Sequence, residues 1–386
     1  MIKNGYYYPD YLWKKTCHMN EITGEAEGDC MHGFAVGNRR AGKSVGVGIF
    51  AFADFLLFGY QTVLIRRYKD DFQKKKAMEK FWLKSWPYVH EFPNIVKGDV
   101  KLQEIYPLEL VENFDWENHT LEFVDNHAIV DGKPFSFPCA LNKYNDFKQD
   151  NFSNVHKLIY DEYVPEKDTE RLKDEVEAMY IVFDTAARGR EGALDTTSII
   201  YISNSITNVN DFYVELGIDR ELRYDAEGNL ETKRLYRPES GYVWEGVNNE
   251  VASEEMLNSK AARGMRGTIG QKYLNYSQGN MIKDDESFVE RMDGDFRYLM
   301  NFRYDNKLYA LKLHLDDGNY YFTDQGIDKK RETIALQRED HTLNTVLIST
   351  FLRERLGIVK SFYGIGRMRF NSMRSKKIFI EMYRYL

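Results

Sequence analysis

No stretch of the 386-residue chain approaches eighteen consecutive apolar residues, so the sequence offers no candidate for a membrane-spanning helix. Its first residues set Lys3, Asn4 and Asp10 around three tyrosines and lack the apolar core of a secretory signal, and an intracellular protein is expected. Cysteine is scarce. Cys17, Cys30 and Cys139 form an odd set with no CxxC pair, which argues against a disulfide framework and for free thiols in a reducing compartment. Cys17-His18 and Cys30-x-His32 match no zinc-ligand spacing. A surplus of positive charge is also missing: 53 basic against 60 acidic residues leave a net charge of −7, which excludes a protein that coats nucleic acid through overall charge. There is no internal repeat and no low-complexity segment. What the chain does have is 43% hydrophobic and 15% aromatic content, a globular composition with enough length for two domains.

Gly37-Asn38-Arg39-Arg40-Ala41-Gly42-Lys43-Ser44 fits G-x-x-x-x-G-K-[ST] without a mismatch. It lies between Gly33–Val36, which reads as a buried strand, and Val45–Phe58, whose apolar residues read as a helix packed on a sheet. Strand, glycine loop and helix therefore come in the order that a phosphate-binding loop requires. Glycine at 37 and 42 lets backbone N–H groups turn toward phosphate oxygens, and the helix N-terminus adds partial positive charge. Lys43 is placed to reach the β- and γ-phosphates of a nucleoside triphosphate, and Ser44 to ligate Mg²⁺.

The following segments extend this unit. Gln61–Ile65 reads as a strand, 70–86 as a basic helix studded with Phe72, Phe81 and Trp82, and 121–137 as a β-meander. Lys157–Tyr160 reads as a second core strand ending in Asp161-Glu162, 170–188 as a helix, and Ser198–Ile202 as a third strand ending at Ser203-Asn204. Strands alternating with helices over residues 1–215 predict a mostly parallel sheet with helices on both faces. Residues 216–290 are acidic and glycine-interrupted and read as a linker or lid. Beyond them, 296–304, 308–315 and 320–323 read as three antiparallel strands and 342–356 as a helix.

Hydrolysis needs a Mg²⁺-directing carboxylate and a group that activates water, both at strand ends beside the loop. Asp161 is the candidate for the Mg²⁺ shell and Glu162 for polarising the attacking water. Arg188, at the end of the 170–188 helix, has two readings: a finger offered to a neighbouring subunit's phosphates, or a cation at a helix C-terminus, where cations are favoured anyway. Lys69 and Lys148 are further candidates of the same kind. Local basic patches stand out against the acidic whole. Residues 66–84 hold eight Lys/Arg against three acids, and 353–386 hold nine against Glu354 and Glu381. A glycine-rich loop adds Arg263, Arg266 and Lys272. Contact with a phosphate backbone is the functional reading of these patches, and a solvated surface the alternative.

In order and spacing, GNRRAGKS, LIRRYK at 64–69, KLIYDEY at 157–163, FDTAARGRE at 183–191 and ISN at 202–204 resemble the DNA-packaging ATPases of phi29-like tailed phages, compact relatives of terminase large subunits. The likeness extends over nearly the whole chain. It implies an α/β chain with a RecA/ASCE-like P-loop ATPase domain (1–215), a small linker domain (216–290) and a vestigial ribonuclease-H-like α+β domain (291–386). It implies ATP and Mg²⁺ as cofactors. It further implies a homo-oligomeric ring, a pentamer, acting on double-stranded DNA at the portal of a prohead in the host cytoplasm, with a structural RNA left open as a partner. By motif it makes Gly37, Arg39, Gly42, Lys43 and Ser44 the nucleotide loop, Asp161 and Glu162 the metal and catalytic carboxylates, and Arg188 the trans-acting finger. Ser203 and Asn204 match the segment that couples hydrolysis to movement, and Lys69 and Lys148 align as nucleotide-site lysines. The C-terminal domain is expected to grip nucleic acid or portal rather than cut, because its first strand, 297–304, holds no interior acid. A terminase with a working nuclease, dependent on Asp305 or Asp340, and a nucleotide-gated binding module that scarcely turns over are the rival expectations.

Overall fold

The computed structural model describes residues 2–3, 6–37, 41–147, 152, 154–164, 172, 174–188, 192–204, 210–223, 230–247, 288–348 and 350–383. Two compact units divide the chain, Met1–Lys283 and Asp284–Leu386. Among the described residues no helix is long and apolar enough to cross a membrane.

The first unit is built on a nine-stranded sheet. In chain order the sheet strands and the helices that bear on the site are β1 (His32–Gly37), α1 (Lys43–Phe58), β2 (Gln61–Arg66), α2 (Lys69–Gln73), α3 (Ala77–Ser85), β3 (Leu121–Val124), β4 (His127–Val130), β5 (Lys133–Ala140), β6 (Val155–Asp161), α4 (Glu175–Ala187), β7 (Ser198–Asn204), α5 (Asp211–Leu216), β8 (Arg234–Arg237) and β9 (Tyr242–Val247). Across the sheet the order is β8-β9-β1-β7-β6-β2-β5-β4-β3. From β9 to β5 every pairing is parallel, while β8, β4 and β3 add antiparallel pairs at the two edges. The central strands are apolar on both sides, as strands covered by helices must be. Leu64, Ile159, Ile200 and Ile202 pack with Val47, Ile49 and Phe50 of α1 on one face. Val63, Ile65, Leu158, Tyr160 and Tyr201 pack with Met179, Val182 and Phe183 of α4 on the other. Fully burying each such side chain contributes about 1.5–3 kcal/mol, so the two layers hold α1 and α4 against opposite faces.

The phosphate-loop strand and helix, the meander and the strands after 60, 155 and 197 stand where the sequence puts them. Three expectations need correction. The basic helix expected over 70–86 is two helices, α2 and α3, broken at Lys76, whose φ is +53°. Asp70–Lys74 and Asp71–Lys75 pairs one turn apart close the first helix, and the second starts afresh with Ala77, Met78, Phe81 and Trp82 buried. The linker expected from residue 216 is not separate at its start. β9 pairs with β1 along its whole length and buries Tyr242, Val243, Trp244 and Val247 on both faces, so it lacks the alternation that marks a half-buried strand. Most of the rest of that expected linker, 248–287, lies outside the described residues.

The second unit has a six-stranded sheet made of β10 (Phe296–Tyr304), β11 (Lys307–His314), β12 (Tyr320–Thr323), β13 (Thr333–Ala335), β14 (Val346–Leu347) and β15 (Met368–Phe370), with α6 (Thr350–Gly364) and α7 (Met373–Met382). The order is β14-β13-β10-β11-β12-β15. β10, β11 and β12 form the antiparallel centre, and β13 and β15 add parallel strands to either side. The third correction falls here: the helix expected over 342–356 begins only at Thr350. Thr345 Oγ1 accepts the Thr342 amide at 2.8 Å in a local turn, and Val346–Leu347 joins the sheet beside β13.

His32 opens the strand that leads into the phosphate loop. It is buried, with Nδ1 3.1 Å from the Tyr201 hydroxyl and its ring against Phe34, Tyr180 and Tyr201. Burial pushes its pKa down to about 4. The unfolded chain, with an ordinary imidazole near 6.5, therefore binds more protons than the folded one between those values. Stability is lost as pH falls, by about 1.4 kcal/mol per pH unit for this group. His32→Gln should flatten the acid limb of a denaturation profile between pH 6.5 and 4; an unchanged slope would count against a neutral buried imidazole.

Candidate nucleotide site

Five parallel strands end side by side at one edge of the large sheet. Val247 of β9 pairs with Gly37 of β1, Gly37 pairs with Asn204 of β7, and Asp161 of β6 pairs with Ile202, so Val247, Gly37, Asn204 and Asp161 line up at that edge. Arg66 follows at the end of β2, which pairs with β6 through Ile65 and Tyr160. Ligands of open parallel sheets bind at such carboxyl ends.

Gly37 and Gly42 are required by geometry. A Cβ on Gly37 would lie 1.7 Å from the Val247 carbonyl oxygen, so the strand beside the loop leaves room only for glycine. Gly42 has φ +80° and caps the start of α1, a conformation that residues with side chains rarely adopt. Lys43 is the first helical residue. It is buried, and its Nζ donates to the Gly37 carbonyl at 3.0 Å. Ser44 follows at the helix N-terminus, and its carbonyl accepts from Ser85 Oγ of α3 at 3.3 Å. Arg39 lies outside the described residues.

Asp161 is buried at the end of β6. Burial pushes its carboxyl above the ordinary carboxylate range; Arg66 opposes that shift, Glu162 adds to it, and Lys84 and Lys43 oppose it. Glu162 has φ +61°, and its amide donates to the Ile202 carbonyl at 2.8 Å. A left-handed glutamate stores about 1–3 kcal/mol of strain. The turn aims its exposed carboxylate differently from that of Asp161. A cation bridges the two: Arg66 donates through one terminal nitrogen to Asp161 Oδ2 and through the other to Glu162 Oε2, each at 2.5 Å. Arg66 Nε is buried without a hydrogen-bond partner among the described residues, which leaves this guanidinium incompletely satisfied. In the sequence Arg66 is one of eight cations in a basic run. The legible signal is its place as the last residue of a strand whose neighbour ends in Asp161.

The remaining expected residues are placed as follows. Ser203 is buried in β7 opposite Val36, next to Asn204 at the edge. Lys69 starts α2, three residues beyond Arg66, and its Nζ lies 3.1 Å from Asp146. Lys148, Arg263, Arg266 and Lys272 lie outside the described residues. Arg188 is not brought to this edge. It ends α4, is 67% exposed, and its Nε donates to Asp184 at 2.9 Å within its own helix. α4 connects the parallel strands β6 and β7 and must run back along the sheet, so its 13 residues carry Arg188 about 20 Å from the end where the carboxylates lie.

Residues 100–386 match a family described as Podovirus DNA encapsidation protein (Gp16). The chain is 21% identical over 356 residues to the DNA packaging protein of Bacillus phage phi29, covering 91% of this chain and 92% of that one. The DNA packaging protein of Bacillus phage B103 is 20% identical over 356 residues, with coverage of 91% and 96%. Among solved structures, the bacteriophage Phi-29 viral genome packaging motor assembly superposes with a TM-score of 0.68 at 19% identity over 99% of both chains. The Phi-28 gp11 DNA packaging motor superposes with 0.60 at 15% identity over 99% and 98%.

A metal ion at Asp161 or a water held by Glu162 would have to compete with Arg66 for these carboxylates. Arg66→Gln should therefore lower the melting temperature without nucleotide, since two carboxylates lose their cation, and enlarge the upward shift on adding Mg²⁺ and a nonhydrolysable triphosphate. Thermal-shift titration checks both; a shift no larger than that of the parent chain would contradict the competition.

Proposed function

Because the chain belongs to the podovirus DNA encapsidation (Gp16) family and is a DNA-packaging ATPase, we propose that it hydrolyses ATP to ADP and phosphate, in a ring of identical subunits, to drive double-stranded DNA into a preformed capsid. The observation that carries this reading is the line of strand ends that sets Lys43, Asn204, Asp161 and Glu162 along one edge while Arg188 sits a helix length away.

Residue chemistry supports a division of labour. The loop amides and Lys43 bind the β- and γ-phosphates, with Lys43 exchanging the Gly37 carbonyl for phosphate oxygen. The residues present fit Mg²⁺: a buried carboxylate, Asp161, whose charge is balanced by a displaceable arginine, and the hydroxyl of Ser44 in the first turn of α1. When bound, the ion would neutralise charge on the phosphate oxygens. Glu162, released from Arg66, orients and polarises the attacking water. Arg188 is too far from its own carboxylates to serve them, and its exposed guanidinium fits a neighbour's phosphates. Such a finger contributes roughly 10³ to 10⁵ in rate. Asn204, beside Gly37, fits the role of carrying the state of the loop into the sheet. We assign the ring as a pentamer docked at the portal, with a structural RNA as a further partner, on the family resemblance.

The second unit reads as a binding surface. At the centre of β10 the buried polar residue is Asn301, whose Nδ2 donates to the Asp328 carbonyl at 2.9 Å and to Thr333 Oγ1 at 3.3 Å. Asp340 is buried as a cap on the hairpin turn, accepting the amides of Asp305 and Asn306 at 3.1 and 2.7 Å. Both groups are committed to structure. Duplex grip then falls to backbone-phosphate contact, which suits a motor that advances on any sequence, with the basic residues of 353–386 in this unit and Arg263, Arg266 and Lys272 of the first unit as the assigned cations.

Mixing tests the shared site. A Glu162→Gln subunit keeps its finger and loses its base; an Arg188→Ala subunit keeps its pocket and loses its finger. DNA-stimulated phosphate release in the mixture should rise above that of either variant alone, and no recovery at any ratio would contradict a finger acting between subunits. For DNA binding, replacing Arg263, Arg266 and Lys272 together by alanine should reduce the slope of log affinity against log salt by roughly three units. An unchanged slope would move the grip elsewhere.

A further inference from the structure

Arg66 is the last residue of β2 and Arg67 follows it in a bend, and their side-chain contacts lie on opposite faces of the sheet. Arg66 turns to the α1 face and holds Asp161 and Glu162. Arg67 turns to the α4 face, where it is buried, and makes a bidentate pair with Glu175, the first residue of α4. Its Nε lies 3.0 Å from Oε2 and a terminal nitrogen 2.9 Å from Oε1. The same guanidinium donates to the carbonyls of Tyr163 at 2.5 Å and Glu162 at 3.4 Å. Glu175 is buried as well and accepts from the Tyr160 hydroxyl on β6.

Glu162 is therefore held from both faces by neighbouring arginines, its carboxylate by Arg66 and its peptide carbonyl by Arg67. A planar guanidinium joined to a carboxylate by two bonds fixes direction as well as proximity. That fixed direction is imposed on the first turn of a 13-residue helix whose far end carries Arg188. A change that moves the Glu162 backbone is felt at Arg67 through the carbonyl contact, and a small rotation at the first turn of α4 is enlarged over its length.

We propose that the buried Arg67–Glu175 pair is a positioning contact: it aims α4, and with it the Arg188 offered to the neighbouring subunit, according to how Glu162 is held in the chain's own site. This rests on the reading of Arg188 as a finger acting between subunits. Arg67 and Glu175 touch neither nucleotide nor water in this scheme; they act through Arg188.

The test uses full-length chains assembled on duplex DNA, with phosphate release as the readout. Glu175→Gln keeps size and an acceptor for Tyr160 but loses the charged bidentate pair. Rings of this variant alone should lose about 10²-fold in turnover, the scale expected when a catalytic group is displaced by about 1 Å. Its own pocket should remain competent. Mixed with Glu162→Gln subunits, which lend correctly aimed fingers, the variant should recover turnover above either parent alone. A purely structural role would damage the pocket too and give no recovery. The Arg188→Ala and Glu162→Gln mixture runs in parallel. If that mixture recovers and the Glu175→Gln mixture does not, or if Glu175→Gln rings turn over normally, the positioning role is overturned. If neither recovers, the reading of Arg188 itself fails and takes this proposal with it. Arg67→Lys, which keeps the charge and loses the two-pronged geometry, is assayed in the same way and decides the matter should Glu175→Gln not fold.

Discussion

One guanidinium between two carboxylates is the contact around which the candidate site is arranged. Asp161 and Glu162 are adjacent in sequence, and one of them is buried; without a cation between them the pair would repel and the buried carboxyl would take up a proton. Arg66 supplies that cation from the neighbouring strand. The chemistry expected of the pair needs the opposite condition, with Asp161 free to bind a metal ion and Glu162 free to face water. In the proposed reaction Asp161 and Glu162 would have to exchange their Arg66 contacts for metal and water. Glu162 sits in a left-handed backbone conformation, and Arg66 Nε has no hydrogen-bond partner among the described residues.

The strand ends of the sheet touch: the first glycine of the loop lies against Val247 on one side and Asn204 on the other, with no room for a side chain between β1 and β9. A displacement of Gly37 would therefore press on both flanking strands. On the other face, α4 rests on the same strands and ends in Arg188. In the proposed motor, α4 and β9 are the elements that join the strand ends of the site to Arg188 and to the residues beyond β9.

Much of this was legible from residues alone, for physical reasons. The phosphate loop is readable because its glycines, lysine and serine are each demanded by backbone geometry or charge. The core strands are readable because burial on both faces leaves uninterrupted apolar runs. The same property hid β9: Tyr242-Val-Trp-Glu-Gly-Val sits in an acidic, glycine-rich stretch, and a strand buried on both sides shows no alternation to set it apart from a linker. The break at Lys76 was hidden because cations every few residues suit one long helix as well as two short ones. Arg66 was hidden for a different reason. Its role depends on which strand lies beside β6, and pairing across 95 residues of sequence leaves no local mark. Arg188 stood equally as a finger or a cap, and in the single chain it is both exposed and bonded to Asp184.

The most direct measurement is an experimental structure of the assembled ring with Mg²⁺ and a nonhydrolysable ATP analogue. The account predicts that Arg66 no longer bridges Asp161 and Glu162 in a loaded subunit, and that Arg188 of the adjacent subunit lies within hydrogen-bonding distance of the terminal phosphate. A loaded site in which Arg66 still spans both carboxylates, with Arg188 turned back onto Asp184 in every subunit, would contradict it.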